Sequence, residues 1–171
     1  MSIGLWVRGA RPKTLATSIA SVMVGAVMAY VHIERSGTCI AIYPEPASCA
    51  TAREQQTLLM GRFWPVTILC LLVALFLQIA VNYANDYSDG IRGTDAGRDT
   101  DESKSGKPRR LTASGLVPAK HVLFAAMICA AIACICGVVA VVLAQAWWLL
   151  AVGAASLLAG WFYTGGKHPY G

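Results

Sequence analysis

Asn82-Tyr-Ala-Asn85-Asp86-Tyr-Ser-Asp89-Gly-Ile-Arg-Gly-Thr-Asp95 decides the reading of this chain, because here an uncharged apolar segment runs unbroken into a cluster of carboxylates. If the preceding segment is a helix that continues to Asp89, then Asn85 and Asp89 stand four positions apart, and Asn82, Asp86 and Asp89 fall at i, i+4 and i+7. One helix end then presents several oxygen donors together. Mg²⁺ is held through a few carboxylates plus the oxygens of a phosphorylated substrate, so a carboxylate patch where an apolar helix meets water reads as a metal–diphosphate site.

Outward from that stretch, the chain is 56% hydrophobic and only 13% charged, which excludes disorder and argues against an ordinary soluble domain. The charges gather in the first thirteen residues, in a short stretch near 34–62 and in the block 86–120. Between them lie four segments without Asp, Glu, Lys or Arg, at 14–33, 63–84, 121–145 and 146–163. Their lengths predict an all-α, multi-span transmembrane helix bundle. An outer loop is expected over 34–62, broken by Gly37, Pro44 and Pro46, and an Asp-rich loop over 85–120.

The net charge of +5 does not point to nucleic acid, because the cations flank apolar spans and do not interleave with aromatics. Membrane orientation accounts for them. Arg8, Arg11 and Lys13 place the N-terminus in the cytoplasm, and Arg92, Arg98, Lys104, Lys107, Arg109, Arg110 and Lys120 place the central block there too. Two spans separate these basic regions, so charge and span count agree.

The first and fourth spans are rich in small residues, among them Ala16, Ser18, Gly25 and Ala26 in the first, which allow close helix contact inside a bundle. In the second span, Gln78 and Asn82 are expected to face the bundle interior, since amides are costly against lipid. The third and fourth spans, joined around Gln145-Ala-Trp147-Trp148, are expected to form an antiparallel pair with the tryptophans at the outer interface. Cys134 and Cys136 lie two apart on different helix faces and read as packing, not as a metal pair. Cys39 and Cys49 either pair in an oxidising compartment or remain free thiols.

Trp6 with Arg11-Pro-Lys-Thr-Leu15, Asn85-Asp86-x-x-Asp89 with Gly93-Thr-Asp95, Arg110-Leu-Thr-Ala-Ser-Gly115 and Tyr163-Thr-Gly-Gly-x-x-Pro169-x-Gly171 together resemble the UbiA superfamily of membrane prenyltransferases, and within it the 1,4-dihydroxy-2-naphthoate prenyltransferases of menaquinone synthesis. The first is similar to an N-terminal signature. The second resembles the first Asp-rich motif, and the third resembles the basic segment before the third helix. The fourth resembles the exit of the fourth helix. The resemblance implies transfer of a prenyl group from polyprenyl diphosphate to dihydroxynaphthoate with loss of CO₂, in a bacterial cytoplasmic membrane. It also implies Mg²⁺ held by Asn85, Asp86, Asp89 and Asp95. Arg110, Arg109, Lys107 and Arg11 would contact the diphosphate, with Asn82, Tyr163 and Lys167 lining the site.

The carboxylate at Asp95 stands where the naphthoate-type spacing puts it, whereas the superfamily's commoner motif would have it at Gly93. Family members carry about nine spans and a second Asp-rich motif, whereas no Asp follows Asp101 here. The resemblance therefore implies the N-terminal part of a longer protein, inactive alone, or a chain completed by a second polypeptide. The alternatives are a related prenyltransferase using 4-hydroxybenzoate, a CDP-alcohol phosphotransferase and a transporter. For the phosphotransferase, Asp86-x-x-Asp89-Gly90 fits, but Gly93-Thr94 stands where its motif has Ala-Arg. A transporter would carry ionisable residues in mid-membrane, where these spans have no Asp, Glu, Lys or Arg.

Overall fold

The computed structural model of the chain describes residues 3–37, 46–92, 111–112, 115 and 117–164. Within them it is all-helical: α1 (Ile3–Gly9), α2 (Pro12–Ser36), α3 (Pro46–Arg92), α4 (Ala119–Ala144) and α5 (Leu149–Thr164). Among the described residues three helices are long and apolar enough to cross a membrane, as expected of a transmembrane bundle.

Pro12 occupies the start of α2, where a missing N–H costs nothing and a fixed φ favours the helix. The hydroxyls inside α2 fold back on their own backbone. Ser18 Oγ donates to Leu15 O at 2.9 Å, and Ser21 Oγ donates to Ser18 O at 3.0 Å. Such bonds satisfy polar groups that lipid could not. The half-buried residues of α2 include Leu15, Ser18, Val22 and Ala26, a stripe at three- and four-residue spacing turned toward α3. Ala16, Ala20 and Gly25 are exposed, so only part of the small-residue content is used in helix contact among the described residues.

The expected outer loop over 34–62 is largely helical. Helix α2 runs on to Ser36, and α3 starts at Pro46, well before the predicted second span. Pro46 sits at the helix start, where proline is tolerated, and Ala, Glu, Gln, Leu and Met through 47–60 are strong helix formers. At 47 residues α3 is about 70 Å long, well over twice the ~30 Å hydrocarbon thickness. Its charged N-terminal part therefore extends from the apolar span. Gln56 Nε2 donates to Glu34 O at 3.1 Å and ties this extension to the end of α2. Cys49, on the extension, is disulfide-bonded; Cys39 lies outside the described residues, and Cys70, Cys129, Cys134 and Cys136 are free thiols.

Helix α4 is apolar all round and packs along α3. Its buried residues Ala126, Ala133 and Ala140 recur every seven positions, which keeps small side chains on one face and lets the helices approach closely. Gln145 caps α4 in the left-handed conformation (φ 56°), and its N–H returns to Val141 and Val142. That cap takes 145–148 out of helix. The fourth span accordingly starts later than 146: α5 runs over 16 described residues, Leu149–Thr164, about 24 Å. Leu149 to Gly160 are all exposed, so the expected close antiparallel pairing with α4 is not formed along these residues. Trp147 and Trp148 project at the joint, 54% and 69% exposed.

A polar site at the inner end of the long helix

The predicted continuation of the apolar helix into the carboxylate cluster is present: α3 remains helical through Asp89 to Arg92, so the first residues of the expected loop 85–120 are helix. Asn82, Asp86 and Ser88 are buried there, while Asn85 and Asp89 are half-buried. The polar end of α3 thus has an inner face and a more open one.

On the inner face, Asn82 joins α3 to the elbow between α1 and α2. Its Nδ2 donates to Ala10 O at 2.8 Å and to Thr14 Oγ1 at 3.0 Å, and Gln78 Nε2 donates to its Oδ1 at 3.4 Å. Both amide hydrogens and the oxygen are engaged inside the fold. Thr14 passes the link on, with its Oγ1 and its N–H each donating to Arg11 O at 2.9 Å. Arg11 itself takes the left-handed conformation, φ 54° and ψ 70°, which costs a non-glycine residue about 1–2 kcal/mol. These bonds to its neighbours hold it there.

Asp86 is 2% exposed, and its carboxylate faces a turn of the backbone. Leu111 N donates to Oδ2 at 2.8 Å and Thr112 N donates to Oδ1 at 3.1 Å. Hydrogen bonds to a charged acceptor contribute more than neutral ones, about 1.5–3 kcal/mol each. Leu111, fully buried, fills a hollow formed by Gly9 and Tyr83. A Cβ on Gly9 would lie 2.5 Å from Leu111 Cδ1, so only glycine admits this approach. Tyr83 completes the hollow: its hydroxyl donates to Trp6 O at 2.9 Å, and its ring meets Trp6 edge to face at 5.6 Å. Val117 N closes the turn onto Leu111 O at 3.3 Å, and Thr112 Oγ1 is buried with no partner among the described residues. Orphaned buried polar atoms are uncommon and mark places where a water or ligand group fits.

Of the site residues named from sequence, the structure gathers Asn82, Asn85, Asp86 and Asp89 on the end of α3 and sets Arg11 on the elbow that Asn82 pins. Asp95, Lys107, Arg109, Arg110 and Lys167 lie outside the described residues. Tyr163 lies on α5, 50% exposed, and is not part of the cluster around Leu111. Asn82, expected to line the site, and Asp86, expected to bind metal, sit on the face of α3 that packs inward, where Asn82 donates to Ala10 O and Thr14 Oγ1 and Asp86 accepts from Leu111 N and Thr112 N. Sequence reasoning did not single out Tyr83, Gly9 or Leu111. The spacing Asn82 to Asp86, four residues on one helix face, was the available signal, but not which backbone each would meet.

Asn85 and Asp89, one turn apart, can both direct oxygens to the same point, and Asn85 has no hydrogen-bond partner among the described residues. No group of three or more His, Cys, Asp or Glu is assembled among the described residues. Two oxygen donors on one helix suit Mg²⁺, which keeps waters and substrate phosphates as its other ligands and does not need an all-protein cage. The donor set therefore fits such an ion when a phosphorylated substrate completes the shell.

Residues 57–170 match the model of the UbiA prenyltransferase family. The chain is 39% identical over 171 residues to a 1,4-dihydroxy-2-naphthoate octaprenyltransferase of Mycobacterium tuberculosis, covering 99% of this chain and 46% of that protein. It is 36% identical to the protein of the same name from Mycobacterium leprae, again over 99% of this chain and 46% of the relative. A third relative of that name, from Escherichia coli K12, is 28% identical over 97% of this chain and 45% of its own length. The chain thus spans about half the length of these curated relatives. No solved structure matches it.

Proposed function

The chain belongs to the UbiA prenyltransferase family, and from that premise we propose that the complete protein transfers a polyprenyl group from polyprenyl diphosphate to 1,4-dihydroxy-2-naphthoate, with decarboxylation. The observation that carries the site is the end of α3, where half-buried Asn85 and Asp89 share the helix end with Asp86, which anchors the turn at 111–112. Apolar helices and family membership make it a multi-pass membrane protein. In the proposed topology the N-terminus and the Asp-rich end lie in the bacterial cytoplasm, following the charge bias.

Asn85 and Asp89 would hold Mg²⁺, with Asp95 as a further ligand and Asp86 nearby. When bound, the ion supplies positive charge against the leaving diphosphate. Arg110, Arg109, Lys107 and Arg11 bind the diphosphate oxygens and stabilise the charge that grows as the prenyl C–O bond breaks, the electron pair leaving with diphosphate. Tyr163 and Lys167 line the same cytoplasmic mouth. The apolar walls keep water from the allylic cation, so that the ring carbon bearing the carboxylate attacks it. Loss of CO₂ then returns the C–C bonding pair to the ring. The 171-residue chain alone, which covers 46% of the relatives' length, is expected to be inactive.

Membranes holding the complete protein, given labelled polyprenyl diphosphate and a panel of aromatic acceptors, test this reading. Transfer to dihydroxynaphthoate, lost in EDTA and restored by Mg²⁺, is the expected result. Preference for 4-hydroxybenzoate would replace the acceptor, and absence of any prenyl transfer would remove the activity.

A further inference from the structure

We infer that Asn82 and Asp86, although they belong to the polar cluster at the end of α3, are positioning residues that fix the α1–α2 elbow and the 111–112 turn against the helix end that carries Asn85 and Asp89, and are not themselves ligands of ion or substrate. The inference rests on the prenyl-diphosphate reading of the site and adds a division of labour within it. Asn82 engages both amide hydrogens and its oxygen inside the fold: one bond reaches Ala10 O, next to Arg11, and another reaches Thr14 Oγ1, which itself donates to Arg11 O. Asp86 gives one carboxylate oxygen to each of two consecutive backbone N–H groups, and Arg110 immediately precedes the first of them.

The two contacts have the same form. In each, a side chain on the inward face of α3 holds main chain next in sequence to an arginine, Ala10 O 72 residues from Asn82 and Leu111 N 25 residues from Asp86. Neither residue is open to a ligand: Asn82 is 4% and Asp86 2% exposed. Asn85 and Asp89, at intervening positions of the same helix, are the half-buried pair. A carboxylate that accepts two backbone N–H bonds orders residues 111–112, which follow directly in sequence on Arg110, a diphosphate contact of the proposed reading. Leu111, locked in the Gly9 and Tyr83 hollow, makes the turn rigid on its other side.

The roles separate in kinetics. In the complete protein, Asp86→Asn replaces one acceptor oxygen with an NH₂ group that faces a backbone N–H, and is expected to raise KM for polyprenyl diphosphate on the order of tenfold, the loss of about one charge-assisted bond. The Mg²⁺ concentration for half activity should stay near the wild-type value. Asp89→Asn is expected to shift that Mg²⁺ requirement upward. Gly9→Ala leaves the carboxylate intact but displaces Leu111, and should raise KM in the same way as Asp86→Asn.

A second readout does not use activity. Trypsin cutting after Arg109 or Arg110 needs several residues on each side to open, and the buried Leu111 turn opposes that opening. In the detergent-solubilised complete protein, Asp86→Asn and Gly9→Ala should speed cleavage at these sites several-fold relative to cleavage after Arg53. Equal Mg²⁺ shifts for Asp86→Asn and Asp89→Asn would make Asp86 a metal ligand and overturn the inference. So would unchanged tryptic rates at Arg109 and Arg110 in both Asp86→Asn and Gly9→Ala. If the tryptic rates change as expected while no prenyl transfer is found in the wild type, the positioning role stands and the enzymatic reading fails.

Discussion

Asp89→Ala in the complete protein is expected to lower kcat/KM for polyprenyl diphosphate by about 10³-fold or more, the scale at which a transition-state charge partner is lost from a water-poor site. The side chain sits one helical turn beyond Asn85, half-buried at the end of α3, and its removal takes a carboxylate from the donor set. Initial rates with labelled diphosphate across a range of Mg²⁺ concentrations measure the effect, and activity within tenfold of wild type would exclude Asp89 as a ligand.

Tyr83→Ala is expected to give the largest loss of stability, about 3–4 kcal/mol, the range for truncating a buried aromatic. Three interactions go together. The hydroxyl bond to Trp6 O is lost, so is the edge-to-face contact with Trp6, and the hollow that receives Leu111 opens on one side. Tyr83→Phe removes only the hydroxyl bond and should cost about 1 kcal/mol. Unfolding of the purified protein by SDS titration distinguishes them; similar midpoints for the two variants would show that the hollow is not a significant source of stability. Because α1, α3 and the turn at 111–112 meet at this ring, Tyr83→Ala should also raise tryptic sensitivity near Leu111.

The helical, multi-span character was legible because long uncharged segments have few solutions in a bilayer. Element ends were less so. Gly37 and Pro46 read as breakers of one long loop, but the structure uses the first just past the end of α2 and the second at the start of α3, and both roles follow from the same backbone restrictions. The start of the fourth span read as 146, not 149, because composition does not reveal a left-handed cap, and Gln145 is not the glycine that usually signals one.

The site was legible in part for a related reason. Helical spacing from Asn82 to Asp89 follows from sequence alone, since a helix fixes which side chains share a face. It does not fix what that face meets. Family likeness and the charge-free spans were determined by the order of residues along the chain. The tertiary structure alone brought Ala10 and Thr14 to Asn82 and the 111–112 turn to Asp86, contacts 25 to 72 residues apart that depend on how α1, α3 and α4 pack. The physical reason is burial: Asn82 and Asp86 are enclosed and bonded to backbone, while Asn85 and Asp89 on the same helix stay half-open, and only packing could separate four polar residues into those two pairs.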